Sequence, residues 1–146
     1  MTVLKIPAET QIITEEVVNT ALALQGLDRQ AITEIIIPES VTEIGAWAFC
    51  RCKSLTNIKL PDSITEIAVG TFYECKSLTT IVLPNGLTKI ADDTFTDCTS
   101  LSSIVISENV TEIDKYAFYG CRSLTTVTLH DGVTKIDDDA FRKCRS

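Results

Sequence analysis

The side chains that could do chemistry are few, and their spacing withholds most of it. His130 is the single histidine. No nucleophile is singled out beside it, so an acid–base or nucleophilic pair lacks its second member, and His130 reads as an exposed turn residue. Six cysteines offer more. Cys50-Arg51-Cys52 with Cys75 would supply three thiolates, but a closed zinc site takes four ligands, usually in paired CxxC-type spacing. Asp92, Asp93, Asp114, Asp137, Asp138 and Asp139 crowd together along the chain, and neighbouring like charges invite a cation. Their spacing matches no EF-hand loop, and a solvated acidic surface is the default reading. No glycine-rich phosphate loop is present. The sequence therefore assigns no catalytic residue, no metal site and no cofactor, and points to a protein that is not an enzyme.

What the cysteines show is order. Cys52, Cys75, Cys98, Cys121 and Cys144 stand 23 residues apart (75 − 52). Phe49, Phe72, Phe95, Phe118 and Phe141 keep the same step, as do Ile44, Ile67, Ile90, Ile113 and Ile136, and Leu55, Leu78, Leu101 and Leu124. A fixed period of that size marks a solenoid, in which each repeat buries its apolar face against the next. The five columnar cysteines are then buried, reduced thiols rather than a disulfide framework. Cys50 stands outside the column and is the candidate for an exposed thiol.

The elements that must position these columns can be read within one period. Five coils are expected, at 32–54, 55–77, 78–100, 101–123 and 124–146. Each opens on an alternating apolar pair such as Ile58 and Leu60, the pattern of a short half-buried strand. Pro38, Pro61 and Pro84 end three of these strands, because proline cannot donate to a ladder; Ser107 and His130 replace them later. Turn residues follow, such as Asn85-Gly86 and Asp131-Gly132, and then a second short extended segment ending at the Ile column. The Phe-x-x-Cys spacing fits an i, i+3 contact on a helical turn. Residues 1–31 break the period. Leu4-Lys5-Ile6-Pro7 copies the strand pattern, and Thr14, Glu15 and Glu16 can start a helix. Val17, Val18, Ala21 and Leu22 continue it to a stop at Gly26. That segment fits an N-terminal cap, which a solenoid needs to cover its first apolar face.

The whole pattern, Leu-x-x-Ile-x-Leu-Pro-x-x-Ile-Thr-x-Ile-x-x-x-x-Phe-x-x-Cys-x-Ser, resembles the BspA-like class of leucine-rich repeats across residues 32–146. The resemblance implies a β-rich solenoid, α/β only through its cap helix: a right-handed coil of short parallel strands with helical turns. It also implies a protein-binding or adhesion module at a cell surface or secreted, although Met1–Pro7 shows no secretion signal.

A net charge of −7 disfavours nucleic acid as a general partner. No apolar run is long enough to insert in a membrane. The expected partner is therefore a protein, and two surfaces compete for it. Equivalent outward strand positions stack into a face bearing Asn57, Lys59, Thr80, Val82, Ser103 and Val105, which is either plain strand chemistry or a flat concave recognition face. Trp47, Tyr73, Tyr116 and Tyr119 fall beside the Phe-x-x-Cys turn, either as turn packing or as anchors of a partner site. A structural or consensus-like, engineered scaffold with no natural ligand is the alternative reading, since the columns are so uniform. The Thr column (Thr42, Thr65, Thr88, Thr111, Thr134) is expected to make cross-strand contacts. Lys89, Glu112 and Lys135 alternate in sign along another column. Finally, Val127, Leu129, Val133, Ile136 and Phe141 enter the core in the last coil with no lid to follow, which predicts a homodimer through that uncapped repeat.

Overall fold

The computed structural model describes residues 1–145; Ser146, with which the fifth coil is expected to close, lies outside them. In chain order the elements are β1 (Val3–Lys5), β2 (Ile12–Ile13), α1 (Glu15–Gln25), a 3-10 turn (Arg29–Ala31), β3 (Glu34–Ile36), β4 (Glu43–Ile44), β5 (Glu66–Ile67), β6 (Lys89–Ile90), β7 (Ser103–Val105), β8 (Glu112–Ile113), β9 (Thr126–Thr128) and β10 (Lys135–Ile136). Every pairing is parallel, and the repeat step becomes register. Glu43 faces Glu66, Lys89 faces Glu112 and Ser103 faces Thr126, 23 residues apart (66 − 43). The cap joins with a longer step, Val3 opposite Glu34 and Ile12 opposite Glu43, because α1 occupies the place of the turns.

The strand side is interrupted. β1 pairs with β3 and β7 with β9, but residues 57–59 and 80–82 form no regular strand. They keep the alternation: Ile58, Leu60, Ile81 and Leu83 are buried, while Asn57, Lys59, Thr80 and Val82 are exposed. The links that remain include Thr79 N–H to the Thr56 carbonyl, 3.1 Å, and Ser102 N–H to the Thr79 carbonyl, 3.2 Å. The second ladder is likewise split into β2-β4-β5 and β6-β8-β10.

Coil spacing is held instead on the opposite side. Phe49, Phe72, Phe95 and Phe118 are fully buried. Their rings stack through to Phe141 with centroids 5.1–5.9 Å apart. Backbone bonds run from coil to coil beneath them: Phe49 N–H to the Thr71 carbonyl, Phe72 to Thr94, Phe95 to Ala117 and Phe118 to Ala140, all at 2.8–3.0 Å. The cysteine column adds a third strand of contacts. The thiols of Cys75, Cys98, Cys121 and Cys144 each approach the carbonyl of the Phe one coil earlier, at 3.1–3.2 Å. All six cysteines are free; Cys50 and Cys144 are half-buried and the rest buried.

This turn region differs from the helical turn the spacing predicts. Its i→i+3 bonds are present, as from Cys52 N–H to the Phe49 carbonyl and from Cys98 N–H to the Phe95 carbonyl. However, Trp47, Arg51, Glu74, Asp93, Asp97, Tyr116, Asp139 and Lys143, with Gly70 and Gly120, have φ between 56° and 71°. A left-handed residue stands at the third position of the turns opened by Gly45 and Phe49 and of their equivalents, as in a type II turn, and reverses the chain before a helix can propagate.

The charge columns also pair differently from the sequence expectation. Lys89 and Lys135 lie beside Glu112 in register, yet their ammonium groups reach Asp114, 3.5 Å, and Asp137, 3.6 Å. In the Thr column Thr42, Thr65 and Thr134 donate their hydroxyls to backbone carbonyls one step earlier in the stack, as from Thr134 to Thr111 at 3.3 Å. His130 is half-buried rather than exposed, and its Nδ1 accepts from Gly132 N–H at 3.0 Å.

The cap closes the first coil with side chains. Thr14 accepts from Val17 N–H at 3.1 Å and Gly26 ends α1 in the left-handed conformation. Gln25 meets both polar groups of Lys5, accepting from its N–H at 3.1 Å and donating to its carbonyl at 2.8 Å, as a neighbouring strand would. Arg29 Nη1 donates to the Ala48 carbonyl at 3.0 Å and the Cys50 carbonyl at 3.2 Å, and its Nη2 to Asn19 at 2.7 Å. One coil later the equivalent carbonyls, Thr71 and Tyr73, are met by amides of Phe49 and Arg51. The guanidinium thus stands in for the amides of an absent preceding coil. At the other end, the expectation that five apolar residues enter the core holds only in part. Val127, Val133 and Phe141 are half-buried, while Leu129 and Ile136 are 46% and 47% exposed, since no coil covers them among the described residues.

Candidate functional site

The type II turns also set the outer surface. Positions 47, 70, 93, 116 and 139 form one column, filled by Trp47, Gly70, Asp93, Tyr116 and Asp139, and all five are left-handed. Glycine adopts that conformation freely and aspartate tolerates it. Tryptophan and tyrosine do not; a bulky residue there is a true outlier, at a cost of about 1–2 kcal/mol. Three residues on runs the column of Cys50, Tyr73, Thr96, Tyr119 and Arg142.

Together these columns line an open groove of about 460 Å³ containing Trp47, Tyr73, Tyr116 and Tyr119. All four aromatics named from the sequence therefore meet on one surface. Each is half-buried. Trp47 and Tyr73 meet edge-to-face at 5.5 Å and 71°, and Tyr116 and Tyr119 at 5.5 Å and 85°. The indole lies directly on Gly70, a position where its ring excludes any Cβ. Between the two pairs the third coil offers Asp93, Thr96 and Asp97. The Thr96 hydroxyl donates to Asp93 Oδ1 at 2.8 Å and lies 2.8 Å from the Tyr116 carbonyl. The Asp97 carboxylate rests on Gly120, a position that excludes any Cβ. Burial raises the Tyr73 phenol above its ordinary range, and the carboxylates of Glu74, Asp97 and Asp93 push the same way.

Neighbouring charges are already engaged. Arg142 reaches Asp139 at 3.5 Å, and Arg51 reaches Glu74 at 3.9 Å. Lys115 and Lys143 sit over the Tyr116 and Tyr119 rings at 4.9 and 5.1 Å from their centroids. No ion pair involves Asp93 or Asp97 among the described residues.

The strand-face candidates lie elsewhere and do not converge. Asn57 and Lys59 border a shallow groove of about 280 Å³ against the first coil. Thr80, Val82, Ser103 and Val105 border another, of about 590 Å³, between the third and fourth coils. Val82 and Val105 are 83% and 63% exposed, but no aromatic or arginine lines either groove. A further cleft of about 530 Å³ opens where β5 and β6 fail to pair, and its Lys89 is already turned to Asp114. Sequence reasoning missed Asp97, Thr96 and Arg142 as groove residues, and missed that Asp93 belongs between the aromatics. The available signal was the column itself, where Trp and Tyr alternate with Gly and Asp.

Comparison with known proteins gives a consistent picture. The model of the "BspA type Leucine rich repeat region" matches residues 27–146 in 6 copies. Among curated proteins no sequence matches. Among solved structures, a leucine-rich repeat protein from Bacteroides ovatus is 30% identical with a TM-score of 0.67, over 88% of this chain and 33% of its own. One from T. pallidum is 27% identical with a TM-score of 0.75, over 92% of this chain and 68% of its own. A leucine rich cell surface protein from Faecalibacterium prausnitzii is 27% identical with a TM-score of 0.70, over 99% of this chain and 45% of its own. The chain thus spans a third to two thirds of the length of these relatives.

Proposed function

The chain belongs to the BspA-type leucine-rich repeat family, and from that premise we propose that it is a non-enzymatic protein-binding module whose contact surface is the turn-side aromatic groove. One observation carries the reading. Trp47 and Tyr116 occupy left-handed positions that glycine or aspartate fills in the other coils, so the fold forgoes stability to display two rings. Strain held at one surface is a mark of function, and exposed aromatics are the residues that anchor interfaces. A cell-surface setting, as named for the Faecalibacterium protein, is part of the same proposal, with adhesion as its biological form.

The experiment separates stability from binding. Immobilised protein is screened against purified extracellular and cell-surface proteins, with a groove variant (Trp47→Ala with Tyr119→Ala) and a strand-face variant (Asn57→Ala, Thr80→Ala, Ser103→Ala) alongside. The groove variant should lose about thirtyfold in affinity or more and the strand-face variant almost none; the reverse would move the site to the strand face. Tyr116→Asn should keep folding stability within about 1 kcal/mol, because relief of the left-handed strain offsets the lost ring contact, yet still weaken binding. Loss of stability without loss of binding would make the rings mere turn packing, and a screen in which nothing binds would favour the scaffold alternative.

A separate observation supports the self-association proposal. Leu129 and Ile136 are half-exposed in coil 124–146 among the described residues, and an uncovered edge tends to pair. Lys135 and Arg142 screen Asp137 and Asp139, which lowers the repulsion between two copies. Light scattering should show a concentration-dependent dimer that Leu129→Lys abolishes; a strict monomer at every concentration would end the proposal.

A further inference from the structure

Resting on the groove as the contact surface, we infer that its ligand is a basic, extended segment of a partner protein, with a lysine or arginine side chain seated over Asp93 and Asp97 between the two aromatic pairs. Three features of the groove converge on that chemistry.

The first is charge. Asp93 and Asp97 are the carboxylates lining the groove, and they lack ion-pair partners among the described residues. The nearby cations are committed: Arg142 to Asp139, Arg51 to Glu74, and Lys115 and Lys143 to tyrosine faces. The chain as a whole carries −7, which favours encounter with a basic partner.

The second is the rings. Two of them already hold a cation over one face, Lys115 on Tyr116 and Lys143 on Tyr119. Ring quadrupoles attract ammonium and guanidinium groups, and the apolar stem of lysine or arginine packs on an aromatic while its head reaches a carboxylate.

The third is shape. Trp47 lies on the first coil, Tyr73 on the second, Asp93 and Asp97 on the third, and Tyr116 and Tyr119 on the fourth. At about 4.8 Å per coil the run is roughly 15 Å long, which an extended peptide covers in about four to five residues. The groove is open along its length, so a small free cation would be held on one side only, whereas a peptide can use both aromatic pairs at once.

The test uses the single tryptophan as the reporter, because Trp47 is a wall of the groove. The folded protein is titrated with hexalysine, and with hexaglutamate as the control, while indole emission is followed. Hexalysine should give a saturable change that weakens with added salt, and hexaglutamate none. Asp93→Asn with Asp97→Asn should weaken hexalysine at least about tenfold. Asparagine suits the left-handed positions, so circular dichroism of this variant should match wild type. An Asp62→Asn with Glu66→Gln variant, which removes two exposed carboxylates that neither line the groove nor hold its cations, should bind within about twofold. No saturable response to hexalysine, or an equal response in the Asp93/Asp97 variant, overturns the inference. If an acidic or neutral protein from the screen binds and needs Trp47 and Tyr119, the groove stands as the contact surface and only its basic specificity fails.

Discussion

Replacing Arg29 with alanine tests how the first coil is closed. Its guanidinium donates to the buried Ala48 carbonyl at 3.0 Å and the Cys50 carbonyl at 3.2 Å, and is itself held by Asn19 at 2.7 Å. A hydrogen bond to a charged donor contributes about 1.5–3 kcal/mol, and a buried carbonyl left unpaired costs about 1–3 kcal/mol. Arg29 is half-exposed, so water will recover part of this, and a total near 3 kcal/mol is expected for Arg29→Ala. With a urea slope near 2 kcal/mol/M, the midpoint should fall by roughly 1.5 M. Arg29→Lys should recover only about half, since one ammonium cannot present a planar fork to two carbonyls. Stability in a solenoid passes through nearest-neighbour interfaces. Amide exchange should therefore quicken at residues 45–52 before it changes at Phe118. A loss under about 0.5 kcal/mol, or Arg29→Lys indistinguishable from wild type, would refute the idea that a guanidinium replaces a missing coil.

Phe95 is fully buried and stacked at 5.5 and 5.2 Å between Phe72 and Phe118, so Phe95→Ala should cost about 3–5 kcal/mol in chemical denaturation. Ser107 is buried with an unpartnered hydroxyl at a position where other coils have Pro38, Pro61 and Pro84; Ser107→Pro should raise stability by about 0.5–1 kcal/mol, and a loss would mean that its backbone differs from that of its equivalents. Burial raises the thiols, with Cys52 pushed up to about 11 and Cys75 and Cys98 well above the ordinary range. The unfolded chain would ionise first, near pH 8.5, while the fold keeps the protons. Stability should therefore hold below that pH and fall as pH rises towards 11, by up to about 1.4 kcal/mol per unit for each buried thiol. In native protein at pH 8 only Cys50 and Cys144 should react with a thiol reagent, and fast reaction of Cys98 would contradict its burial.

Parts of this molecule are legible in its sequence because they are written locally. Thr14, Glu15, Glu16 and Gly26 each carry a helix-end signal, and α1 starts and stops where they place it. The Phe, Cys and Ile columns announce a stacked core because only a periodic structure repeats its apolar residues at one step. Other parts have no such signature. An i, i+3 spacing suits a helix and a run of type II turns alike, and what separates them is the mixture of Gly, Asp, Trp and Tyr in the column of residue 47. Arg29 was invisible because its partners are backbone carbonyls, which no residue type encodes. The pairing of Lys89 with Asp114 instead of Glu112 depends on side-chain reach within the turn. The four aromatics could be named in advance; that their two pairs flank Asp93 and Asp97 follows from the turn geometry that brings adjacent columns onto one face.

Footprinting of the bound state tests the central claim most directly. The chain, alone and with a protein partner bound, is exposed to hydroxyl radicals, and side-chain oxidation is read residue by residue. The account predicts protection at Trp47, Tyr73, Tyr116 and Tyr119, which share one groove, with Val82 and Val105 on the strand face still oxidised. Protection confined to Val82, Val105 and their neighbours, with all four aromatics still reactive, would contradict it.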